Sequence, residues 1–466
     1  MKVKEIYIKD FRQFKDFKLD LTYPKGHAKE GQALEKVCFI GQSGTGKTSL
    51  LKLLYLMQMS GEGKEKLNAS VVDLINNIAF KVSDINNEDL LICFKESTED
   101  QYALSENMMS SFYNPKFEYS DILDKNFTDT IGETLKISMK FGKTILDNQR
   151  KLIYFPTFLQ HDLKKEDKKK FTTSHKVFDF SKTSINDLWD IIIEDVKKYQ
   201  ENVLSRRQKI SIAAESGDKD ETDKEVKKLK EWEEKNLNPV TDIADNCIDT
   251  LIKYYSLKVK RDLDIKKKED IGFIKIEDLN GHEVPYTSWS TGTKQVILSA
   301  LPLYLLKPKN SLVLFDEPET SLYPDLQRLI IDYYQSFTTD SQFFYATHSP
   351  IIASSFEPWE IVELKFDKQG HVYRELYYEG ENHIDNYFID PRFLNFDLML
   401  KKVFDMDDTN GDIRYEALSE YGMLKNQLDK LKKDDKLQTS QAKDIYQKFK
   451  SLSKKLAVNP EQYAAN

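Results

Sequence analysis

The amino-acid sequence predicts an α/β fold: a mixed sheet with antiparallel strands at the N-terminus, a helical insertion and a helical C-terminal region. The first twenty residues alternate in two runs, VKEIYIKDF and FKDFKLDL, as the two strands of a hairpin do. Three apolar runs, KVCFIG, SLVLFDEPE and SQFFYATHSP, are typical of buried strands. From about residue 184, apolar residues recur at helical spacing.

Composition bounds the class of protein. The 466 residues, 40% of them hydrophobic, are enough for two or three domains with a sizeable core. The net charge of −8 argues against a broad nucleic-acid-binding face. No apolar run reaches the roughly 18 residues of a membrane span, and the N-terminus has no apolar signal segment. Cys38, Cys93 and Cys247 form no CxxC pair and are interpreted as reduced thiols. We therefore expect a soluble, cytoplasmic protein without a membrane partner.

The first chemical motif is GQSGTGKT, residues 41–48, which matches the phosphate-binding pattern GxxxxGK[ST]. It lies between a predicted strand and a predicted helix, as that pattern requires. Its glycines let the backbone wrap a phosphate, Lys47 would reach the β- and γ-phosphates, and the Thr48 hydroxyl would bind Mg²⁺. The alternative is an ordinary glycine-rich turn before a helix. The nucleotide-binding residues predicted here are Gly41, Ser43, Gly44, Thr45, Gly46, Lys47, Thr48 and Ser49.

The second motif is SLVLFDEPETSLYPD, in which a buried strand delivers Asp316 and Glu317 at its carboxyl end. Two adjacent carboxylates after a buried strand are costly unless a metal or a proton is shared there. Asp316 is expected to hold Mg²⁺ through water, and Glu317 to act as the general base toward the attacking water. Pro324 is predicted in the first turn of the next helix. A simple strand-ending turn is the alternative.

The third motif is THSP, residues 347–350, which follows the strand QFFYA. Ser349 can cap the next helix and Pro350 can occupy its first turn, so His348 is expected at the same sheet edge as Asp316 and Glu317. We predict that His348 senses a phosphate and is catalytic. An ordinary, satisfied polar residue is the alternative.

A second anion-binding turn is indicated by SWSTGTKQV, residues 288–296, where small polar residues open an apolar segment. Such a turn at a helix start presents backbone N–H groups to an anion. The alternative is a cap that serves only its own helix.

Taken in their order along the chain, the motifs resemble those of the ATP-binding-cassette (ABC) ATPases of the SMC, RecF, Rad50 and OLD type. The likeness is clearest over residues 1–60 and 270–366. IYIKDFRQFKDFKLDL is similar to the start of such proteins, DEPETSLYPD to their extended Walker B motif, ATHSP to the switch histidine, and STGTKQ to the S-x-G-x-x-Q signature. The resemblance implies an ABC-ATPase head, a P-loop NTPase that hydrolyses ATP with Mg²⁺.

The resemblance also implies a homo-oligomer with shared sites. In the family, the signature of one protomer caps the γ-phosphate held by the P-loop of another, which assigns that role to Ser290, Gly292, Lys294 and Gln295. It further implies a glutamine that binds Mg²⁺, for which Gln160 is the candidate, and a nucleotide contact by Arg12.

Four segments are predicted. Residues 1–183 form the N-terminal lobe of the head with the Walker A motif, and residues 268–380 the C-terminal lobe with the signature, Walker B motif and histidine. Residues 184–267 form a helical insertion interrupted by the polar stretch AAESGDKDET, with ADNCIDTLIKYY as its third helix. Residues 381–466 form a helical tail for assembly or partner binding.

The tail shapes the biological expectation. OLD proteins carry a nuclease after the ATPase, whereas this tail reads as helical, so we expect no nuclease activity of its own. The architecture and the stretch DPRFLNFDLMLKKVFDMDD resemble the ATPase of two-component phage-defence systems such as Septu (PtuA) and PARIS (AriA). This implies an oligomeric sensor or scaffold for a separate effector, such as a nuclease.

Two other functions stay open at this point. A RecF-like DNA-repair ATPase would show DNA-stimulated hydrolysis, and an assembly module would bind ATP without turnover. Three basic runs, KKEDKKK, SRRQK and KEVKKLK, are interpreted as solvated surface rather than as a nucleic-acid site, which leaves nucleic acid an open partner.

Overall fold

The computed structural model describes ten stretches of the chain: residues 2–60, 78–83, 89–95, 109–113, 150–159, 175–181, 185–261, 274–375, 389–406 and 411–458. The chain divides into two compact units, Met1–Leu394 and Asn395–Asn466. Each is described by itself.

The described strands are, in chain order, β1 (Lys2–Phe11), β2 (Phe14–Asp20), β3 (Lys36–Gly41), β4 (Ile78–Ser83), β5 (Asp89–Lys95), β6 (Met109–Tyr113), β7 (Leu152–Phe155), β8 (Val177–Asp179), β9 (Leu257–Val259), β10 (Ile276–Asp278), β11 (Glu283–Val284), β12 (Leu312–Asp316), β13 (Gln342–Ala346), β14 (Ile361–Phe366) and β15 (Val372–Arg374). All of them belong to the first unit.

The described α-helices are, in chain order, α1 (Lys47–Ser60), α2 (Ile185–Glu215), α3 (Lys219–Lys235), α4 (Pro239–Ile243), α5 (Asp249–Ile252), α6 (Thr291–Leu306), α7 (Pro324–Ser336), α8 (Pro350–Ala353), α9 (Phe396–Lys402), α10 (Asp412–Lys433) and α11 (Ser440–Leu456). Every helix in the described part of the chain is too short or too polar to cross a membrane.

Twelve of the described strands form one mixed sheet, in the order β6-β5-β4-β1-β2-β15-β14-β3-β13-β12-β7-β8. The strands β6, β5, β4, β1 and β2 run antiparallel to one another, and β1 and β2 form the predicted hairpin. From β14 to β8 all neighbouring strands are parallel. The sheet and the flanking helices confirm the predicted fold class, an α/β fold whose mixed sheet has antiparallel strands at the N-terminus.

The parallel part of the sheet is covered on both faces, which is why its strands are continuous apolar runs. Every residue of β12 and β13 is buried. On one face, Leu314 and Phe344 share a core cluster with Leu50 of α1. On the other, the Phe315 ring stacks on Tyr334 of α7 with centroids 4.8 Å apart. Burial of both faces fixes the carboxyl ends of these strands side by side.

The helical insertion is less interrupted than predicted. The polar stretch AAESGDKDET is mostly helical, because α2 continues to Glu215 and α3 already begins at Lys219. Three residues suffice for the turn: Gly217 adopts φ +77°, and the Asp218 side chain accepts a hydrogen bond from the Glu221 N–H. Polarity marked the solvent-exposed helix ends as well as the loop between them.

The predicted third helix of the insertion is helical but irregular. A π-helical segment, Ala244–Ile248, lies between α4 and α5. Its Cys247 carbonyl accepts a 2.6 Å hydrogen bond from the Tyr333 hydroxyl of α7, which ties the insertion to the head. The segment boundaries predicted near 183, 267 and 380 all lie outside the described residues and stay predictions.

A small three-stranded sheet, β11-β10-β9, begins inside the predicted helical insertion: β9 lies within residues 184–267, so this part of that segment is a strand and not a helix. Its antiparallel β10–β11 pair closes through the turn Leu279–His282. In the second unit, α10 and α11 pack through Leu424, Leu428 and Phe449. The C-terminal region is therefore helical, as predicted, where the structure describes it.

Candidate functional site

Three loops that follow neighbouring parallel strands surround one cleft of about 400 Å³. β13 lies between β3 and β12, so the glycine-rich loop, Asp316–Glu317 and His348 meet at one edge of the sheet. The predicted site residues that line the cleft are Arg12, Ser43, Gly44, Gly46, Lys47, Thr48, Ser49, Asp316, Glu317 and His348. Gln13 and Ala346, which the motifs did not indicate, also line it.

The glycine-rich loop is fixed from outside by the turn between β1 and β2. The Gln13 side-chain amide donates to the Gly44 carbonyl oxygen at 3.0 Å. Gly46 adopts φ +92°, and a Cβ there would lie 2.6 Å from both Gln13 Nε2 and the Phe14 ring. Only glycine fits that position without displacing the turn. The hairpin identified as the start of the fold thus shapes the loop.

The loop residues not lining the cleft have structural contacts. Gly41 ends β3, and the buried Thr45 hydroxyl donates to the Gln42 carbonyl oxygen at 2.8 Å.

Lys47 Nζ donates to the carbonyl oxygens of Gly41 and Gln42 at 2.9 and 3.0 Å. Burial lowers the pKa of Lys47 to about 8, although the nearby Glu317 and Asp316 oppose the shift. The ammonium group is thus partly desolvated and surrounded by hydrogen-bond acceptors.

A hydrogen bond between Thr48 and Asp316 joins the glycine-rich loop to the end of β12. The Thr48 hydroxyl donates to Asp316 Oδ1 at 2.9 Å, across 268 residues of sequence. Burial, and to a lesser degree Glu317, raise the pKa of Asp316, while the Thr48 hydrogen bond acts in the opposite direction. A buried carboxyl beside a hydroxyl is an oxygen pair of the kind that holds Mg²⁺ together with phosphate oxygens. The residues present therefore fit the metal that the motifs imply.

Glu317 turns the chain at the end of β12. It adopts φ +51°, an uncommon conformation for a residue other than glycine, and its N–H donates to the Ala346 carbonyl oxygen at 2.7 Å. This left-handed residue ends the strand with its carboxylate on the cleft. Strained backbone of this kind clusters at functional sites.

His348 extends from the end of β13 on the same cleft. Burial and the charge of Lys47 lower its pKa, against the influence of Glu317, which favours the neutral imidazole near pH 7. As predicted, the Ser349 hydroxyl caps α8, accepting from the N–H groups of Ile351 and Ile352, and Pro350 stands in its first turn. The cap fixes the backbone on the C-terminal side of His348.

Glu319 is a residue that the motifs did not indicate. Its Oε1 accepts hydrogen bonds from the Thr347 hydroxyl at 2.6 Å and from the His348 N–H at 2.9 Å. Burial raises its pKa, although both hydrogen bonds oppose the shift. The available signal was the second glutamate of DEPE, two residues after Glu317, but only the fold shows which loop it faces.

The four signature residues do not line this cleft. Ser290 is exposed and caps α6, accepting from the Thr293 N–H at 3.0 Å. Gly292 is buried, and a Cβ there would lie 2.4 Å from the Ser321 carbonyl oxygen in the loop after β12. Lys294 Nζ lies 4.4 Å from the centre of the Tyr286 ring, and Gln295 is buried within the helix. Within one chain, the predicted signature turn therefore contacts the loop after β12, and none of its four residues lines the cleft.

The two remaining candidates have different outcomes. Arg12 lines the cleft from the β1–β2 turn, with φ +54° and its guanidinium carbon 5.2 Å from the centre of the Phe11 ring. Gln160 lies outside the described residues, so its predicted role stays a prediction. Among the described residues, no three His, Cys, Asp or Glu side chains form a metal-binding cluster.

Comparison with known proteins gives one family match. A family model described as "AAA ATPase domain" matches residues 1–353, about three quarters of the chain. No curated protein matches the chain.

Similar solved structures include three SMC heads. One is the SMC head bound to the C-terminal winged-helix domain of ScpA, at 13% identity and a TM-score of 0.39, covering 80% of this chain and 97% of that one. Another is the SMC head with an extended coiled coil bound to the C-terminal domain of ScpA from Pyrococcus furiosus, at 14% identity and a TM-score of 0.39, covering 80% and 96%. A third is the SMC head from Thermotoga maritima, at 11% identity and a TM-score of 0.35, covering 80% and 98%.

Proposed function

The chain belongs to the AAA ATPase domain family, and from that premise we propose that it hydrolyses ATP at the cleft formed by the ends of β3, β12 and β13. The observation that carries this proposal is the 2.9 Å contact between Thr48 and Asp316, with Glu317 and His348 on the same cleft. The residues proposed to bind phosphate, hold the metal, accept the proton and contact the γ-phosphate therefore all line one cleft. These are the parts that phosphoryl transfer to water requires.

The proposed roles follow from the contacts. Lys47 and the backbone N–H groups of the glycine-rich loop bind the β- and γ-phosphates. Glu317 accepts a proton from the attacking water. The water oxygen forms a bond to the γ-phosphorus as the bond from that phosphorus to the oxygen bridging the β- and γ-phosphates breaks. His348 contacts the γ-phosphate region and orients it. The products are ADP and inorganic phosphate.

The proposed metal ligands are Thr48 and Asp316, the latter through water, with Gln160 as a further candidate. Mg²⁺, when bound, neutralises phosphate charge. The raised pKa of buried Asp316 supports this assignment, because a cation beside it would offset the cost of a buried carboxylate.

We also propose a homo-oligomer with ATP sites between subunits. The signature turn of Ser290, Gly292, Lys294 and Gln295 would contact the nucleotide on a partner's P-loop, since it lies outside the lining of the cleft in its own chain. The exposed Ser290 at the start of α6 supports this, because a helix N-terminus attracts phosphate. The observed cap of Ser290 on its own helix is what the alternative, a purely local role, also requires.

Mixing two inactive variants tests the shared site. Lys47→Ala removes the P-loop cation of its own chain, and Ser290→Arg blocks the signature that serves the partner. In a dimer with shared sites, a 1:1 mixture restores about a quarter of wild-type hydrolysis, because half of the dimers then hold one intact site. A mixture of Lys47→Ala with Glu317→Gln is the matched control and restores nothing, since both lesions affect the P-loop side. No recovery in the first mixture would contradict shared sites.

At the level of biology, we propose a sensor or scaffold whose ATP cycle controls a separate effector, such as a nuclease, in cytoplasmic antiphage defence. This proposal is supported by the sequence resemblance and by the helical unit that follows the head. The test is phage plating on cells that carry the chain with its flanking genes. Protection that disappears with Lys47→Ala is expected. Hydrolysis stimulated by DNA, with no protection, would favour the RecF-like alternative.

A further inference from the structure

The backbone that carries His348 is held by a carboxylate from the neighbouring loop. Glu319 Oε1 accepts from the Thr347 hydroxyl at 2.6 Å and from the His348 N–H at 2.9 Å. The Ser349 N–H in turn donates to Thr347 Oγ1 at 2.9 Å. Glu319 therefore holds Thr347 and His348 directly, and Ser349 through the Thr347 hydroxyl.

The same loop that presents Glu317 to the cleft presents Glu319 to β13. The Glu317 N–H binds the Ala346 carbonyl oxygen at 2.7 Å, so the ends of β12 and β13 are joined by backbone before Glu319 adds its side-chain contacts. Only Pro318 separates the two glutamates, and its ring restricts the backbone between them. The distance from Glu317 to His348 is thereby set within a short, rigid path.

A second side-chain contact holds Ser349, the residue after His348. The Ser349 hydroxyl donates to Gln327 Oε1 at 2.6 Å, and Gln327 Nε2 donates to the Leu322 carbonyl oxygen at 2.9 Å. The loop after β13 is thus contacted by two side chains, Glu319 from the loop after β12 and Gln327 from the first turn of α7. Side-chain ties of this kind determine how accurately a reacting group is placed.

Glu319 itself is not placed to exchange a proton with substrate. It is not among the residues that line the cleft. Its Oε1 is occupied by two donors, and its Oε2 is buried without a hydrogen-bond partner among the described residues. Its contacts are with the loop that carries the histidine.

We propose that Glu319 is a positioning residue of the hydrolytic site, which acts by holding His348 at a fixed distance from Glu317. The inference rests on the proposed function, in which His348 and Glu317 serve ATP hydrolysis. Nucleotide binding, which depends on the glycine-rich loop, does not require this contact.

The test compares Glu319→Ala with Glu319→Gln in steady-state ATP hydrolysis. Alanine removes the acceptor for both donors, and kcat is expected to fall about 10- to 100-fold with KM nearly unchanged, since a displaced group loses rate rather than binding. Glutamine keeps an acceptor oxygen at Oε1, so kcat is expected to stay within about 5-fold of wild type. The exposed carboxylate Asp332 of α7 provides the matched control, because Asp332→Ala leaves kcat unchanged.

A double variant separates positioning from other roles. If Glu319 acts through His348, then adding Glu319→Ala to His348→Ala lowers kcat no further, because the group being positioned is already gone. Additive losses, or a Glu319→Gln variant as slow as Glu319→Ala, would overturn the proposal. Thermal melting of each variant shows whether lost activity reflects lost folding.

The failure of this inference is distinguishable from the failure of the proposed function. If hydrolysis at this cleft is wrong, Glu317→Gln and His348→Ala both keep wild-type kcat. If only the positioning role is wrong, those two variants lose hydrolysis while Glu319→Ala keeps it.

Discussion

The parallel strands carry similar groups at their carboxyl ends and at their amino ends, here called the carboxyl edge and the amino edge of the sheet, but use them differently. At the carboxyl edge, Lys47, Asp316, Glu317 and His348 line an open cleft. At the amino edge the polar groups are closed off. The fully buried side chain of Gln342 accepts from the Val3 N–H at 2.7 Å and donates to the Val3 and Leu34 carbonyl oxygens at 2.9 and 2.8 Å.

A lysine and a glutamate occupy both edges, which makes the comparison close. At the amino edge, Lys36 Nζ donates to the Ser355 carbonyl oxygen at 2.8 Å and lies 3.8 Å from Glu360, whose Oε2 accepts from the Glu357 N–H. These groups have partners within the protein and stabilise the fold. The carboxyl-edge groups are placed on a cleft, so the same chemistry serves a ligand there.

The largest effect that separates the edges is on nucleotide affinity. Lys47→Ala is expected to weaken ATP binding about 100-fold, because a charge-assisted contact to phosphate is lost. Lys36→Ala, the matched change at the amino edge, is expected to leave affinity unchanged. Fluorescence titration with a labelled ATP analogue measures both. Equal weakening by the two variants would break the comparison.

The second effect is on stability. Gln342→Leu leaves the Val3 N–H and two buried carbonyl oxygens without their partner, and is expected to lower the free energy of unfolding by about 3–5 kcal/mol. Nucleotide affinity of the folded fraction stays at the wild-type level. Urea denaturation measures the stability. A loss below about 1 kcal/mol would show that the buried amide is not structural.

The third effect depends on pH. Burial raises the pKa of Glu360 from 4.5 to about 7, against the charge of Lys36. The folded protein holds this proton more tightly than the unfolded chain, so stability present below about pH 4.5 is lost as pH rises through 7. At 1.36 kcal/mol per pKa unit, this loss is about 3 kcal/mol.

Glu360→Gln cannot ionise, so it isolates this contribution. Its free energy of unfolding, relative to wild type, is expected to rise between about pH 4.5 and 7 and then level off. Urea denaturation at a series of pH values measures the difference. A constant difference across that range would mean that Glu360 titrates normally.

The smallest effect concerns the signature turn. Gly292→Ala places a Cβ 2.4 Å from the Ser321 carbonyl oxygen, and is expected to destabilise the first unit by about 1–2 kcal/mol as the start of α6 and the loop after β12 move apart. Gly422→Ala is the control. It lies within helix α10 with no atom near the added methyl, and is expected to stabilise by about 0.5–1 kcal/mol. A melting curve for each variant measures the contrast.

Whether a feature of the fold or of the site could be predicted from the sequence depends on how far apart along the chain the contacting residues lie. The strand that precedes each motif, the cap of Ser349, and Pro324 at its helix start are local features, and the structure confirms them. The order β3-β13-β12 is not local, and it alone determines that Glu319 meets His348.

The contacts that the sequence patterns did not predict also join residues that are distant along the chain. Gln13 binds Gly44 across 31 residues, and Gly292 meets Ser321 in another loop. Spacing along the chain carries no information on such pairs, because the pairing of distant strands sets them. The predicted length of the turn after α2 was also wrong, because charged residues are as common at an exposed helix end as in a loop.

The most direct test of the central claim is phosphate release by Glu317→Gln at saturating Mg-ATP, measured beside ATP retention by the same variant. Glu317 lines the cleft but makes none of the contacts that shape the glycine-rich loop. The account predicts ATP bound with wild-type affinity and phosphate release reduced by at least about 100-fold, as expected when a general base is removed. Undiminished phosphate release would contradict the assignment of Glu317 and, with it, the hydrolytic site proposed here.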